Sequence, residues 1–221
     1  MDECTLPLNC ASLDQLLGGG LECGIVTEIH GEGGSGKTNI CLQAACNCAA
    51  RGDKVAYVDT EGVSEERLAQ ICDGSTEVTK KILFFQPYSM EEQEHMVEKA
   101  VKIEAGLIIV DSVNLYYRLD MNGDEGTATR SLSRQLVTLQ VAARKRNIPV
   151  VVTSQVYAMD GQIRPFGGRS IDHMVKTALC LHKVDEQRDD GTETRLAELL
   201  KHRAKPSGEQ ATFQITRAGL A

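Results

Sequence analysis

Short, almost wholly apolar segments alternate along the chain with segments in which apolar residues recur every three or four positions. The apolar segments suit strands buried on both faces, and the periodic segments suit helices that cover them. The predicted strands are 24–31, 54–59, 82–87, 107–112 and 149–155, and the predicted helices are 38–52, 64–72, 89–105 and 126–146. This alternation predicts an α/β fold with a mostly parallel twisted sheet and helices on both faces.

The ends of the predicted helices carry local signals. Ser64 is placed as a helix cap, Ser89 and Glu92 form an S-x-x-E capping box, and Gly52 closes the first helix. After residue 175 the pattern changes to strand-like segments around a turn signal, Asp190-Gly191. We therefore predict antiparallel strands over 177–216. The length of 221 residues predicts one domain over 1–221, with 1–20 as a lead-in.

A glycine-rich segment between the first strand and the first helix, GEGGSGKT, fits the pattern G-x-x-x-x-G-K-[ST]. Its glycines let backbone amides face phosphate oxygens, and the following helix adds its positive end. Lys37 is expected to reach the β- and γ-phosphates of ATP, and Thr38 is expected to bind Mg²⁺. The predicted nucleotide contacts are Gly31, Glu32, Gly33, Gly34, Ser35, Gly36, Lys37 and Thr38.

Three further polar residues stand at predicted strand ends. Asp111 ends an apolar strand and is expected to hold Mg²⁺; the alternative is a carboxylate that caps the next turn. Glu61 is the candidate for polarising the attacking water. Gln155 is the candidate for sensing the γ-phosphate; the alternative is an ordinary polar strand end. Parallel strands deliver their carboxyl ends to one edge, so these residues should meet there.

Composition restricts the class of protein. Hydrophobic residues make up 42% and charged residues 25%, a globular balance without an apolar run near ~18 residues. The N-terminus has no secretory pattern, and the eight cysteines form no CxxC pair, so we expect a cytoplasmic protein with reduced thiols and no membrane. The net charge of −7 argues against a surface that coats DNA generally, so any DNA contact must be local.

Several of these segments together resemble the RecA family of recombinases. SLDQLLGGGLECGIVTEIHGEGGSGKT is similar to the start of the archaeal and eukaryotic recombinase ATPase core, and VAYVDTEG to the strand with the catalytic glutamate. VVVTSQV is similar to the strand that ends in the γ-phosphate-sensing glutamine, and FGGRSIDHMVKTALCLHK to the end of the second DNA-binding loop. The resemblance implies a RecA-like P-loop ATPase core that uses ATP and Mg²⁺, with Glu61 and Gln155 in those roles.

The chain also departs from full-length RadA-type recombinases. It begins at the core, without the helical DNA-binding domain, and the stretch before Leu13 has no phenylalanine for an F-x-x-A docking segment. It is most similar to RadB, the short archaeal paralogues. That resemblance implies weak ATP hydrolysis, weak binding to single-stranded or branched DNA, and assistance to a RadA-type recombinase or other recombination proteins. A homo-oligomer is also possible.

The resemblance locates two DNA loops. The first, 118–125, has an acidic balance that would repel phosphate. The second, 156–168, offers Arg164 for a phosphate and Phe166 for base stacking, and Arg169 follows it. The alternative is a closed connector in which Phe166 is buried.

A basic cluster near the C-terminus suggests a role between subunits. Lys201 and Arg203 would point the same way on a strand, and their spacing is similar to paired cations with which bacterial RecA-type subunits reach a neighbour's ATP. We expect them to act in trans on the γ-phosphate. The alternative is a solvated edge strand whose charges prevent aggregation.

Three functions therefore remain open from the sequence. The first is an ATP-binding accessory protein of DNA repair and homologous recombination. The second is a filament-forming recombinase whose ATPase DNA stimulates strongly, and the third is a RecA-fold signalling ATPase that binds only protein partners. The acidic first loop and the missing docking segment favour the first.

Overall fold

The computed structural model describes residues 4–120, 125–159, 162–165, 168–187 and 192–221, with backbone alone at 120, 125, 158–159, 162–165, 168–170 and 185–187. The strands are β1 (Thr5–Leu6), β2 (Leu21–Glu22), β3 (Val26–Gly31), β4 (Val55–Asp59), β5 (Ile82–Phe85), β6 (Leu107–Asp111), β7 (Val150–Ser154), β8 (Val156–Met159), β9 (Gln162–Pro165), β10 (Thr177–Gln187), β11 (Glu193–Lys201), β12 (Gln210–Thr216) and β13 (Gly219–Leu220). The helices are α1 (Ala11–Leu17), α2 (Lys37–Ala50), α3 (Glu65–Ile71), α4 (Thr76–Thr79), α5 (Met90–Ala100), α6 (Leu115–Asp120), α7 (Glu125–Arg146) and α8 (Gly168–Met174).

A nine-stranded sheet in the order β13-β12-β11-β10-β3-β7-β6-β4-β5 forms the centre of the fold. The strands from β10 to β5 run parallel, and β11, β12 and β13 continue the sheet antiparallel. The predicted antiparallel extension is therefore confirmed, but it begins at β11, because β10 is still parallel to β3. The turn signal Asp190-Gly191 lies outside the described residues. The short pairs β1-β2 and β8-β9 were not predicted.

Side chains that alternate along the parallel strands build two apolar layers. One layer, which includes Ile29, Tyr57 and Ile109, packs against α2 and the C-terminal strands. The other, which includes Ile108 and Val152, packs against α5 and α7. Because both faces are covered, the strands are continuously apolar, which is why they could be predicted from their composition.

The helix caps follow the local signals with one exception. Ser64 Oγ accepts a hydrogen bond from Arg67 N, and Ser89 Oγ accepts one from Glu92 N. The Glu92 carboxylate accepts from Tyr88 N instead of closing a box onto Ser89. Helix α5 ends at Ala100 rather than 105; Arg146 donates to the carbonyls of the segment that follows, including Ile103.

Four cysteines differ from the prediction of reduced thiols. The structure joins Cys4 to Cys23 and Cys46 to Cys72, with Cα–Cα distances of 5.4 and 5.5 Å. The remaining thiols, at Cys10, Cys41, Cys48 and Cys180, are buried. Within the described part of the chain, no helix combines the length and apolarity needed to cross a bilayer.

Candidate nucleotide site

Four neighbouring parallel strands deliver the candidate residues to one edge of the sheet. Strands β3, β7, β6 and β4 lie side by side, and each is followed directly by a predicted site segment. The phosphate loop follows β3, Gln155 follows β7, Asp111 ends β6, and Glu61 lies two residues beyond β4. The expectation that these strand ends converge is therefore met by the topology.

The phosphate loop has the conformation that its glycines predict. Gly34 and Gly36 have φ of 75° and 103°, values in which a side chain would be strained. A Cβ on Gly31 would lie 2.5 Å from the carbonyl oxygen of Leu181 in the neighbouring strand. The loop is therefore shaped by close backbone approach, as a phosphate cradle requires.

Lys37 is held over this loop by backbone carbonyls. Its ammonium donates hydrogen bonds to the carbonyls of Gly31 (2.8 Å) and Glu32 (3.0 Å). Burial lowers the pKa of Lys37, while the charges of Glu61 and Asp111 oppose that shift. An ammonium bound to neutral carbonyls in a partly buried site would gain from exchanging them for anionic phosphate oxygens.

Asp111 is buried and surrounded by hydroxyl groups. Its carboxylate accepts hydrogen bonds from the hydroxyls of Tyr57 (2.8 Å) and Thr153, and the Thr38 side chain is also hydrogen-bonded to it. Burial raises the pKa of Asp111 and the charge of Glu61 adds to the rise, whereas the three hydroxyl groups oppose it. The structure thus brings together the two residues predicted to hold Mg²⁺.

The donor set fits magnesium rather than a metal caged by protein alone. Among the described residues, no group of three or more His, Cys, Asp or Glu side chains could hold a metal ion. A hydroxyl and a carboxylate leave most positions for water and phosphate oxygens, which is how Mg²⁺ is commonly bound.

Glu61 and Gln155 are in direct contact. The Gln155 amide donates a 2.8 Å hydrogen bond to the Glu61 carboxylate, while its own Oε1 is buried without a partner in the described structure. Asn114, fully buried, fixes the Gln155 backbone by accepting from its N–H (2.8 Å) and donating to its carbonyl (2.9 Å). The backbone of Gln155 is thus fixed, and its side chain lies at the site.

The loop that carries Glu61 is held by the residue at the end of β4. Asp59 accepts hydrogen bonds from the backbone N–H groups of Glu61, Gly62 and Val63, at 3.2, 2.8 and 2.8 Å. Thr60 bonds to both the N–H and the carbonyl of Ser112, which joins this loop to the end of β6. The Asp111–Ser112 peptide bond is cis.

The structure adds neighbours of the site that we did not predict. Arg195 of β11 donates to the carbonyl of Gly34 through Nε (3.2 Å) and Nη2 (3.1 Å), and Lys183 of β10 lies beside the same glycine. Tyr57 could have been anticipated, because a tyrosine inside a buried strand needs a partner for its hydroxyl. The sequence around Lys183 and Arg195 gives no sign of a nucleotide site, because only strand pairing brings these two residues to the loop.

Lys201 and Arg203 lie at the amino ends of the parallel strands, away from the phosphate loop. Lys201 pairs with Ala178 near the start of β10, and Arg203 lines a cleft beside residues 23–26, before β3 begins. Lys201 donates to the Asp172 carbonyl (2.6 Å), and Arg203 forms an ion pair with Glu22 (3.0 Å). The prediction that both stand on one strand is wrong, because β11 ends at Lys201. Neither residue reaches the phosphate loop of its own chain.

The predicted DNA contacts fall where side chains are not described. Arg164 belongs to β9, which pairs antiparallel with β8 and places Arg164 opposite Tyr157. Arg169 belongs to α8, and Phe166 lies outside the described residues. The first loop is helical over its beginning, since α6 extends from Leu115 to Asp120.

The sequence and the fold are both similar to those of known proteins. The chain matches the Rad51 family over residues 4–221. The DNA repair and recombination protein RadB of Methanococcoides burtonii is 43% identical over 96% of this chain and 95% of that protein. RadB of Archaeoglobus fulgidus is 36% identical over 100% of this chain and 99% of that protein. The crystal structure of a RadB recombinase superposes with a TM-score of 0.83 at 34% identity and covers 98% of each chain.

Proposed function

The chain belongs to the Rad51 family, within its RadB branch, and from that premise we propose that it is an ATP-binding accessory protein of DNA repair and homologous recombination. In this proposal ATP hydrolysis is weak, and binding to single-stranded or branched DNA is weak and independent of sequence. The partners are a recombinase of the RadA type or other recombination proteins, and copies of the chain itself.

The hydrogen bond between Gln155 and Glu61 is the observation that carries the proposal. It joins the candidate water-polarising carboxylate to the candidate phosphate sensor at 2.8 Å, although the two residues are 94 positions apart in sequence. A carboxylate whose position depends on a sensor residue supports an ATPase in which occupancy of the site and turnover are coupled.

The bound nucleotide would be held by the loop from Gly31 to Thr38, with Lys37 on the terminal phosphates. Thr38 and Asp111 would hold Mg²⁺, which would neutralise charge that develops on the phosphate oxygens. Glu61 is exposed at the rim of the site and accepts the Gln155 amide, so it is free to accept a proton from water when Gln155 turns to a phosphate.

Gln155 also stands at the start of the candidate DNA hairpin. Strand β8 begins at the next residue, Val156. Asn114 accepts a hydrogen bond from the backbone N–H of Gln155 and so fixes the backbone directly before this strand. A change in the Gln155 side chain on binding ATP would therefore act next to the segment that carries Arg164 and Phe166. This contiguity supports ATP as a ligand that changes DNA binding.

The decisive experiment combines calorimetry, hydrolysis and DNA binding on one preparation. We expect heat of binding with MgATP, slow hydrolysis that single-stranded DNA changes little, and a mobility shift that weakens steeply with salt. Strong stimulation by DNA together with filaments would favour the recombinase alternative. Absence of a mobility shift with DNA at low salt would favour the signalling alternative. Absence of heat with MgATP would contradict all three functions, since each requires ATP binding.

A further inference from the structure

The C-terminal strands bring a second lysine to the phosphate loop. In the parallel pair β10-β3, Leu181 lies beside Gly31, the last residue before the loop turns. Lys183 is two residues further along β10, so its side chain lies on the same face of the sheet as that of Leu181. That face also carries α2, which begins at Lys37.

Gly34 is the contact point. A Cβ built on Gly34 would lie 3.3 Å from both Cε and Nζ of Lys183, so the ammonium lies directly against the loop. Arg195, opposite Lys183 in the pair β10-β11, donates twice to the Gly34 carbonyl and is paired with Glu193. The guanidinium is thus neutralised and used in holding the loop.

Lys183 differs from Arg195 because its charge is not used within the chain. Among the described residues it has neither an ion pair nor a hydrogen bond through its ammonium, and its side chain is exposed. Its charge also repels Lys37, whose pKa is lowered chiefly by burial and further by Lys183. An unpaired cation that repels the main phosphate-binding lysine is compensated if a polyanion binds between them.

We propose that Lys183 is a phosphate-binding residue that acts in cis, a second ammonium for the triphosphate delivered by β10. This inference rests on the proposed nucleotide-binding function and adds a residue to it. Arg195 is then a positioning residue, since it acts on the phosphate only through Gly34. The same strand pair that continues the sheet beyond β3 thus completes the nucleotide site.

The test is calorimetric titration of MgATP, MgADP and adenosine into four proteins at moderate salt: wild type, Lys183→Gln, Lys183→Arg and Lys54→Gln. Lys54 is a matched control because it is an exposed lysine directly before β4, at the end of that strand opposite the phosphate loop. We expect Lys183→Gln to weaken MgATP binding by about 3- to 10-fold, a loss suited to one partly solvated charge contact. Lys183→Arg should retain most of the affinity, Lys54→Gln all of it, and adenosine binding should not change.

The outcomes separate this inference from the function on which it rests. Wild-type protein that gives no heat with MgATP would contradict the proposed nucleotide function itself. Wild-type binding that persists unchanged in Lys183→Gln would overturn only the role of Lys183. An equal loss for MgATP and adenosine would also overturn it, because a phosphate contact cannot weaken a ligand without phosphate.

Discussion

The side-chain amide of Gln155 donates a hydrogen bond of 2.8 Å to the carboxylate of Glu61. Strand β6, which ends at Asp111, lies between the two strands that these residues follow, so their contact crosses the carboxyl end of β6. The amide Nε2 has two N–H groups, so Gln155 releases Glu61 only if its side chain turns away to reach a phosphate. We expect a γ-phosphate to draw the amide away in this manner, which would link occupancy of the site to the availability of the base.

The first prediction concerns this carboxylate. Replacing Glu61 with Gln keeps the size of the side chain and one oxygen that can accept the Gln155 amide, but removes its basicity. We expect single-turnover hydrolysis to fall by about 10²-fold or more, while MgATP affinity in calorimetry stays within about 2-fold because binding rests on the loop. Glu65→Gln, at an exposed position of α3, is the control and should behave as wild type. Unchanged hydrolysis in Glu61→Gln would show that another group polarises the water.

The second prediction compares two glycines of the same loop. A Cβ on Gly31 would meet the Leu181 carbonyl at 2.5 Å and Ser35 Oγ at 2.7 Å, whereas one on Gly33 would meet nothing within 4 Å. Gly31→Ala should therefore separate β3 from β10, lower the free energy of unfolding by about 1–3 kcal/mol and abolish MgATP binding. Gly33→Ala should keep the free energy of unfolding of the wild type, because its Cβ meets no protein atom. Denaturant titration and calorimetry on the pair check this, and equal behaviour of the two variants would contradict it.

The third prediction concerns the cations at the far edge of the sheet. Since Lys201 and Arg203 lie away from their own phosphate loop, they can act on a nucleotide only from a neighbouring copy. Changing both to Ala should lower hydrolysis only under conditions of assembly, by up to about 10³-fold, the lower end of what such cations contribute elsewhere. Dilute, monomeric protein should hydrolyse ATP at the wild-type rate. Sedimentation run beside the assay establishes assembly, and an unchanged rate in assembled variant protein would discard the role in trans.

The fourth prediction concerns stability and pH. His30, next to the phosphate loop, has its Nδ1 3.6 Å from Glu28 Oε2, and both side chains are buried. Burial lowers the pKa of His30, but its neighbours Cys180 and Glu28 raise it more, to about 9. An unfolded histidine titrates near ~6.5. The stabilisation by protonated His30 is therefore fully present below about pH 6.5 and is lost as pH rises through about 9.

We expect the free energy of unfolding in urea to fall by about 1–2 kcal/mol between pH 6.5 and 8 because of this group. His30→Gln should remove that fall, and His95→Gln, at an exposed histidine of α5, should keep it. Free thiols, with a pKa of ~8.5 in an unfolded chain, begin to ionise at the top of this range, but they do so in both variants and cancel in the comparison. If the free energy of unfolding of His30→Gln fell by the same amount over this range, the pH dependence would belong to groups other than His30.

Local sequence determined the parts of this molecule that depend on near neighbours along the chain. The phosphate loop, the apolar strands, and the caps at Ser64 and Ser89 follow from residue types at short spacing, because turn geometry and helix ends are satisfied locally. The sequence also predicted that Asp111 and Gln155 stand at the carboxyl ends of strands. A buried parallel strand is recognisable as an apolar run, and its direction follows from the chain.

Only the tertiary structure decided which distant groups meet. Tyr57 and Thr153 on Asp111, Asn114 on Gln155, and Lys183 and Arg195 on Gly34 all depend on strand order and register. The same register carried Lys201 and Arg203 to the amino edge of the sheet, and the end of β11 separated them from a common strand. Strand pairing is set by the sum of many contacts across the core, so no short stretch of residues contains it.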